Sequence, residues 1–505
     1  MSCDELVERF LAQGRIDHFD CMLAKKIAAE RVSWLALWVI RAFRFGITSP
    51  EVGEKLVPSP LSLFVDEQFI PPSEKECEVI EESIREEFAS FSFDGLIVEP
   101  PFVFLAYGYA VEKALSSNVD RLSKALPFVS LNLPEGLEFV NNDQEQAIVQ
   151  ACGHTLFLIT GGPGTGKTYT AGTYLRHVAT TVSHPLKVAL VAPTGRAVQA
   201  LENSISRFAS GSISVRAHTI HSLIYPKRQS MLPFHLMIID ECSMIDSDLM
   251  CRLLERAHGG MRILMLGDVD QLPPIEPGRP FEKMLSKHPS CILRKCQRTD
   301  VHDILDLASL IRGGEGEKVG EWLTARSSPE VVFHDFKTLN QLSDFYQFVD
   351  KEVTSVWRGA SSHNLFRVKS SVCLTPIRRG PLGTEAINER VAGSLQKQKV
   401  EPVVVCRNAP NLHIMNGEMG LLKKGEEVII FSQGTIPSSL CPEVEKAYAM
   451  TVHKSQGSEF DTVLFVLPPR AYVDRRLLYT AVTRAKKRLV IVADIDDLVK
   501  AVDKS

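Results

Sequence analysis

The sequence predicts an α/β protein built from two lobes, each with its own parallel sheet. Seven short apolar runs support this prediction, and each ends in Gly, Pro, Thr or Asp. Strands that are buried on both faces of a parallel sheet have this pattern. The runs are LFLIT (156–160), VALVAP (188–193), LMIID (236–240), ILMLGD (263–268), VCLTP (372–376), TVLFVLP (462–468) and LVIVAD (489–494). Their spacing leaves room for crossover helices, which favours two doubly wound lobes.

The remaining regions complete a three-domain organisation. The chain has 505 residues, of which 45% are hydrophobic and 23% charged, as is typical of soluble globular proteins. We expect a mainly helical N-terminal domain at 1–128, used for partner docking, a first lobe at 129–325 and a second lobe at 326–505. Within the second lobe, short alternating runs and the turn signal Asn416-Gly417 predict a small antiparallel β module at about 395–445.

Charge and cysteine usage exclude several classes of protein. The net charge is −4, so any nucleic-acid contact must be a local groove rather than a basic surface. The eleven cysteines form no C-x-x-C pair, which argues against zinc and iron–sulfur sites. No secretory signal is apparent, and the apolar stretch Val32 to Ile40 is too short to span a bilayer. We therefore expect a cytoplasmic protein without a membrane partner.

The segment GGPGTGKT follows the first predicted strand and matches the phosphate-binding pattern G-x-x-x-x-G-K-[ST]. Its glycines let backbone N–H groups turn around phosphate oxygens, at the positive end of the next helix. Lys167 is predicted to reach the β- and γ-phosphates, and the Thr168 hydroxyl to bind Mg²⁺. The predicted ATP-binding residues here are Gly161, Gly162, Pro163, Gly164, Thr165, Gly166, Lys167 and Thr168.

The strand MIID ends in two adjacent acids about seventy residues after this loop. Asp240 at the strand tip is predicted to hold Mg²⁺, and Glu241 to activate the attacking water. An apolar strand that ends in Asp-Glu is common by itself. Its position after a phosphate-binding loop is what indicates that these two acids belong to a nucleotide site. The two segments together predict hydrolysis of a nucleoside triphosphate.

Further segments, in order along 135 to 490, resemble the motifs of superfamily 1 helicases. They are VNNDQEQA (140–147), APTGRA (192–197), HTIHSL (218–223), LMLGDVDQLPPIEPG (264–278), LRKCQR (293–298), YAMTVHKSQGSEFD (448–461) and LLYTAVTRAKKR (477–488). The resemblance implies that Gln144 reads the adenine, Gln271 senses the γ-phosphate, and Arg298 and Arg484 complete the catalytic site. It also implies nucleotide contacts from Gly457 and Glu459, and DNA contacts from Pro193, Thr194, His221, Thr451 and His453.

The wording of DECSMID, GDVDQLPP, LTPIRRGPLGTEAINERV (374–391) and NGEMG (416–420) is similar to that of the RecD family, alpha subunits of the RecBCD exodeoxyribonuclease. The resemblance implies RecA-like lobes, an SH3-like insertion in the second lobe, 5′-to-3′ movement, and action on single-stranded and broken double-stranded DNA. It also implies RecB-like and RecC-like partners. The sequence has no constellation of clustered carboxylates typical of a nuclease, so we expect no nuclease site in this chain. Two features depart from the family. Only IYPKRQSMLPF (224–234) remains where the family has a longer strand-separating hairpin, and the N-terminal region is short.

Three alternatives remain open at this point. The chain could be a free-standing RecD-like helicase, an RNA helicase of the same superfamily, or a nucleotide-dependent switch that does not translocate. Co-purifying subunits, stimulation of hydrolysis by DNA against RNA, and the rate of hydrolysis distinguish them.

Overall fold

The computed structural model describes residues 3–28, 33–44, 47–53, 55–64, 71–90, 96–132, 141–182, 184–208, 213–225, 231–296, 302–325, 328–338, 342–354, 371–407, 409–412, 414–431, 434–471 and 473–504. Across these ranges no helix is long and apolar enough to cross a membrane. The predicted division into an N-terminal region and two α/β lobes provides the frame for the description below.

The N-terminal region is helical, as predicted, and it also holds a small sheet that was not predicted. Its elements are α1 (Cys3–Ala12), α2 (His18–Ile27), α3 (Trp34–Arg44), β1 (Glu51–Val52), β2 (Leu56–Val57), α4 (Pro60–Leu63), α5 (Glu74–Ser90), β3 (Leu96–Glu99), β4 (Phe102–Leu105) and α6 (Ala106–Ser123). The four strands form an antiparallel sheet in the order β2-β1-β4-β3. A separate core forms around the edge-to-face rings of Phe10, Trp34 and Phe64.

The first lobe is a six-stranded parallel sheet in the order β10-β5-β9-β8-β6-β7. Its elements are α7 (Asn142–Gly153), β5 (Leu156–Gly161), α8 (Lys167–Thr181), β6 (Leu186–Ala192), α9 (Gly195–Ile205), β7 (Ile213–Thr219), α10 (Ile220–Ile224), β8 (Leu236–Ile239), α11 (Ser247–Glu255), β9 (Arg262–Gly267), α12 (Pro280–Leu285) and β10 (Ser290–Leu293). Every residue of β5, β8 and β9 is buried, because helices cover both faces of the sheet.

The second lobe is a five-stranded parallel sheet, β11-β20-β19-β12-β18, with an antiparallel module inserted. The chain continues through α13 (His302–Gly313), α14 (Gly316–Ala325), β11 (Val331–Asp335), α15 (Leu342–Val349), β12 (Ser371–Thr375), α16 (Thr384–Ser394), β13 (Val400–Val405), β14 (Met419–Lys423), β15 (Val428–Phe431), β16 (Gly434–Pro437), β17 (Val444–Lys446), β18 (Ala449–Thr451), β19 (Phe460–Val466), α17 (Arg475–Val482), β20 (Ala485–Ala493) and α18 (Ile495–Asp503). Strands β13 to β17 form the antiparallel sheet β16-β15-β14-β13-β17, which we call the β module. All seven predicted strands and the β module are therefore confirmed.

Helices next to the predicted domain boundaries pack across them. Leu115, Val119 and Leu122 of α6 belong to the hydrophobic core of the first lobe. Residues of α13 and α14 belong to the core of the second lobe. The boundaries near 128 and 325 stay predictions, and the packing shows that α6 joins the N-terminal region firmly to the first lobe.

Candidate nucleotide-binding cleft

The predicted phosphate-binding loop connects β5 to α8 at the carboxyl edge of the first sheet. Gly164 and Gly166 have φ values of 74° and 85°, which glycine adopts without strain. A Cβ on Gly166 would lie 2.4 Å from Nε2 of Gln144, so a side chain at this position would displace the Gln144 amide. The Lys167 ammonium donates to the carbonyls of Gly161 at 2.6 Å and Gly162 at 3.2 Å. The loop is thus folded around its own lysine.

Thr168 and Asp240 face each other at the base of this loop. The Thr168 hydroxyl donates to Oδ2 of Asp240 at 3.5 Å, and Oδ1 of Asp240 accepts from the Glu241 N–H at 2.8 Å. Hydroxyl and carboxylate oxygens are the hard donors that Mg²⁺ prefers, and Mg²⁺ usually completes its shell with water and substrate phosphate. Within the described ranges no larger group of His, Cys, Asp and Glu could hold a metal ion. The pair therefore fits an ion that reaches the site with its nucleotide.

Glu241 lies beside Asp240 in an unusual backbone conformation. Its φ of 55° is in the left-handed region, which is costly for a residue other than glycine and often marks a functional site. Burial raises its pKa to about 7, and the neighbouring Asp240 carboxylate adds to the effect. Burial also raises the pKa of Asp240. A carboxylate with a raised pKa at this position is suited to accept a proton from water.

Gln271 connects the cleft to the second lobe. It is buried, and its Nε2 donates to Oδ2 of Asp268 at 3.0 Å. The hydroxyl of Tyr479, from α17 of the second lobe, donates to the same Asp268 oxygen at 3.3 Å. The next residue, Leu272, donates its N–H to the Thr480 hydroxyl at 2.9 Å. Movement of the second lobe would therefore act directly on the segment that holds Gln271.

Arg484 lies on the second-lobe wall of the cleft and is only 4% exposed. Its guanidinium donates to the Thr480 carbonyl at 3.1 Å, the Ser458 carbonyl at 3.3 Å and the Thr483 hydroxyl at 3.4 Å. Its positive charge partly offsets the rise in the pKa of Glu241 that burial causes. The structure thus places Arg484 and the predicted catalytic carboxylate in the lining of one cleft.

The two lobes enclose a cleft of about 630 Å³ between these residues. Most of the residues predicted for the nucleotide site line it: Gly162, Pro163, Gly164, Gly166, Lys167, Thr168, Asp240, Glu241, Gln271, Gly457, Glu459 and Arg484.

Gln144 is buried, with Oε1 accepting from the Asn141 N–H at 3.1 Å and Nε2 donating to the Thr165 carbonyl at 3.1 Å. The structure therefore shows Gln144 supporting the loop, and contact with adenine stays a prediction. Arg298 lies outside the described residues, as do positions 226–230 of the shortened hairpin segment.

Comparison with known proteins identifies the family to which this chain belongs. The AAA domain family model matches residues 139–331, and the UvrD-like helicase C-terminal domain matches residues 446–492. A RecBCD enzyme subunit RecD of Mycobacterium tuberculosis is 30% identical over 396 residues, which cover 70% of this chain and 69% of that protein. The chain belongs to the RecD family. This confirms the family predicted from the motifs.

Two further relatives show how much of the chain is shared. A RecBCD enzyme subunit RecD of Mycolicibacterium smegmatis is 29% identical over 411 residues, covering 73% of each chain. An ATP-dependent RecD2 DNA helicase of Deinococcus radiodurans is 30% identical over 377 residues, covering 69% of this chain and 48% of the relative. The likeness to the RecBCD subunits thus covers about seven tenths of this chain, while the chain spans about half of the RecD2 protein.

The DNA-contact residues predicted for a RecD-family chain lie at the carboxyl ends of strands in both lobes. Pro193 and Thr194 follow β6, and Thr194 caps α9 by accepting from the Ala197 N–H at 3.2 Å. His221 is exposed in α10, and its ring is parallel to Tyr225 at a centroid distance of 6.0 Å. Thr451 ends β18, and His453 follows in a single helical turn. Their roles in DNA binding stay predictions.

Sequence reasoning missed several residues that line the cleft. They are Tyr169, Arg196, Gln199, Asn203, Glu418, Met419 and Lys486. A local signal existed for Arg196, which lies in the first turn of α9, directly after a strand of the sheet that carries the phosphate-binding loop. Glu418 lies in the segment NGEMG that resembles the RecD family, but nothing in that segment indicates the cleft, because only tertiary folding brings the β module there.

Proposed function

We propose that this chain is an ATP-hydrolysing DNA helicase that moves 5′ to 3′ on single-stranded DNA. We further propose that it is the motor subunit of a RecBCD-type helicase–nuclease that processes broken double-stranded DNA in recombinational repair. One observation carries the core of this proposal: a phosphate-binding loop and paired acids on one wall of a cleft face a buried arginine on the other. The printed names of the relatives, a RecBCD subunit and a DNA helicase, support the choice of DNA as substrate.

Hydrolysis follows from the positions of the side chains in the cleft. The triphosphate lies along the loop, and the Lys167 ammonium exchanges the Gly161 and Gly162 carbonyls for phosphate oxygens. Glu241 accepts a proton from the attacking water, whose oxygen bonds to the γ-phosphorus as the bond to the leaving ADP oxygen breaks. Arg484 stabilises the charge on the transferring phosphoryl group. Mg²⁺ held at Thr168 and Asp240 would neutralise phosphate charge.

Movement follows from the contacts between the lobes. Gln271 Nε2 has Asp268 as its partner, and its Oε1 has no hydrogen-bond partner within the described structure. A bound γ-phosphate offers Nε2 an alternative acceptor, so Gln271 can signal its presence to a segment that contacts α17. Opening and closing of the two lobes then shifts the strand-end surfaces that carry Pro193, Thr194, His221, Thr451 and His453 along the DNA.

Hydrolysis measured with and without nucleic acid tests this function. Single-stranded DNA should raise the ATPase rate at least about tenfold over the free chain, because it stabilises the closed arrangement of the lobes. Equal or greater stimulation by RNA would favour an RNA helicase, and slow hydrolysis that ignores both would favour a switch.

Partner subunits are a separate part of the proposal. Co-purification with large RecB-like and RecC-like subunits supports a heterotrimer, whereas efficient unwinding by the isolated chain supports a free-standing helicase. The role of the N-terminal domain in docking and the cytoplasmic location stay predictions.

A further inference from the structure

Glu112, in α6 of the N-terminal region, is bonded to side chains of two parts of the molecule. Its Oε1 accepts from the Thr48 hydroxyl at 3.0 Å and from the Ser247 hydroxyl at 2.8 Å. Its Oε2 lies 3.0 Å from the Lys283 ammonium, which also donates to the Thr48 hydroxyl at 3.0 Å. Ser247 begins α11 and Lys283 lies in α12, both in the first lobe. The Glu112 carboxylate therefore joins the N-terminal region to the first lobe by direct bonds.

Ser247 is the most deeply buried member of this network. It is 1% exposed, and its N–H donates to the Pro277 carbonyl at 3.1 Å. The next residue of that loop, Gly278, has a φ of 98°, which suits glycine, and a Cβ there would lie 2.0 Å from Oγ of Ser247. The loop between β9 and α12 thus packs closely on the Ser247 hydroxyl. Glu112 fixes Ser247 on one side, and this loop fixes it on the other.

Glu241 lies only six residues before Ser247, at the start of a tightly bonded turn. The Met244 N–H donates to the Glu241 carbonyl at 3.0 Å, and the Ile245 N–H donates to the Cys242 carbonyl at 3.2 Å. Glu241 itself has a left-handed φ of 55°. Such a conformation is costly for a residue other than glycine, and it persists only where the surrounding structure holds it. A fixed Ser247 at the end of this turn provides such a restraint.

Helix α6 contacts α11 at both ends, so the network around Glu112 is part of a firm helix pair. Arg121 of α6 donates to the Leu254 carbonyl at 2.9 Å and to the Ala257 carbonyl at 2.9 Å, at the far end of α11. Glu112 contacts the near end, where the chain arrives from Glu241. The two contacts therefore have different consequences: Arg121 secures the helix, whereas Glu112 secures its connection to the nucleotide cleft.

We propose that Glu112 is a positioning residue for ATP hydrolysis, and that it acts through Ser247 to hold Glu241 in its left-handed conformation. In that conformation the Glu241 side chain lines the nucleotide cleft. This inference rests on the proposed function, since Glu241 is there the base that accepts a proton from water. The N-terminal region then supports catalysis in the first lobe, in addition to its predicted role in partner docking.

Steady-state ATPase kinetics of the full chain test this role. Glu112→Ala should lower kcat about tenfold, and Ser247→Ala, which removes a single hydroxyl, should lower it about fivefold. KM for ATP should stay within about twofold in both variants, because a base acts in the transition state rather than in binding. Ser247→Ala provides the same test if Glu112→Ala does not fold. Unchanged kcat in either folded variant would overturn the proposal.

A double-mutant cycle with Glu241→Gln separates positioning from a general loss of active protein. If Glu112 acts through Glu241, Glu112→Ala should change kcat by less than about twofold once the Glu241 carboxylate is gone. Single-turnover hydrolysis measures the low rates of this background. A fall of the same size in both backgrounds would overturn the proposal, since Glu112 would then only support the fold.

Two further variants complete the experiment. Asp120→Ala removes an exposed carboxylate of α6 that pairs with Lys124 at 3.1 Å, and it should leave kcat and KM unchanged. Glu112→Gln keeps an oxygen that can accept from the Ser247 hydroxyl, so it should recover most of the activity lost in Glu112→Ala. Equal losses in these two variants of Glu112 would overturn the route through Ser247.

The same measurements distinguish failure of this inference from failure of the proposed function. If Glu241→Gln keeps its activity, the proposed base is wrong. If Glu241→Gln loses its activity and Glu112→Ala does not, only the role of Glu112 is wrong.

Discussion

The two walls of the nucleotide cleft are built in different ways. On the first-lobe wall the functional groups contact one another: Lys167 closes the phosphate-binding loop, and Thr168 donates to Asp240 at 3.5 Å. On the second-lobe wall, Arg484 donates to Thr480, Ser458 and Thr483 of its own lobe. Contacts within the first wall thus organise it for ATP binding. The second wall belongs to the other lobe, so it contributes to hydrolysis only while the two lobes are held together. Substitutions on the two walls should therefore separate binding from hydrolysis.

Lys167→Ala should have the largest effect and should damage both steps. Loss of the ammonium removes the main positive charge of the first wall, so hydrolysis should fall at least about a thousandfold and nucleotide affinity should fall with it. The free energy of unfolding should change by less than about 1 kcal/mol, because the side chain is not part of a hydrophobic core. Lys187→Ala, an exposed lysine in β6, is the matched control. Normal ATPase activity in Lys167→Ala would contradict the site assignment.

Arg484→Ala should abolish most hydrolysis and leave binding largely intact. An arginine that stabilises phosphoryl transfer contributes about 10³ to 10⁵ in kcat, and this interaction is strongest in the transition state. Steady-state kinetics and analogue binding measure the two quantities separately. Lys487→Ala, three residues further on and 72% exposed at its side chain, should behave like the unmodified chain. A loss of affinity as large as the loss in kcat would place Arg484 in the binding wall.

Glu241→Gln should lower kcat by about 10² to 10⁴ with affinity preserved or improved. The amide cannot accept the proton of the attacking water, and general base catalysis contributes this range. The substitution also removes the repulsion between the neighbouring carboxylates of Glu241 and Asp240. Single-turnover hydrolysis together with analogue titration checks both parts. Retention of more than about a tenth of the activity would show that Glu241 is not the base.

Tyr479→Phe should have the smallest effect, and it should act on the connection between the walls. It removes the hydroxyl that donates to Asp268 at 3.3 Å and leaves the buried ring in place. One hydrogen bond contributes about 1 kcal/mol, so stimulation of ATPase activity by DNA should fall about fivefold with little change in KM for ATP. An equal loss of activity with and without DNA would instead indicate a general structural role.

The sequence predicted central strands better than peripheral ones. The seven predicted strands are apolar runs buried in the sheets, whereas β7, β10, β11 and β18 were missed. Strand β7, ISVRAHT, is half-exposed along its length, and β18 is only three residues long, so neither forms an apolar run. The N-terminal strands, two to four residues each, are too short to show alternation. Their pairing depends on tertiary contacts.

The same distinction applies to the cleft. Lys167, Thr168, Asp240 and Glu241 belong to contiguous segments whose chemistry is visible in the sequence. Arg196, Glu418 and Tyr479 were not predicted, because folding alone brings their distant positions together. Gln144 shows a third case: Asn141 and Gln144 form a reciprocal helix cap, a local pattern that competes with the role implied by family resemblance. Local chemistry was predictable, and contacts between the walls were not.

Unwinding of a partial duplex tests the motor account most directly. Two substrates, identical except for a 5′ or a 3′ single-stranded tail, are incubated with the chain, its co-purifying subunits if any, and ATP. The account predicts that the 5′-tailed duplex is unwound, that Arg484→Ala abolishes this unwinding while still binding ATP, and that the 3′-tailed duplex stays intact. Unwinding that requires a 3′ tail, or unwinding that persists in Arg484→Ala, would contradict it.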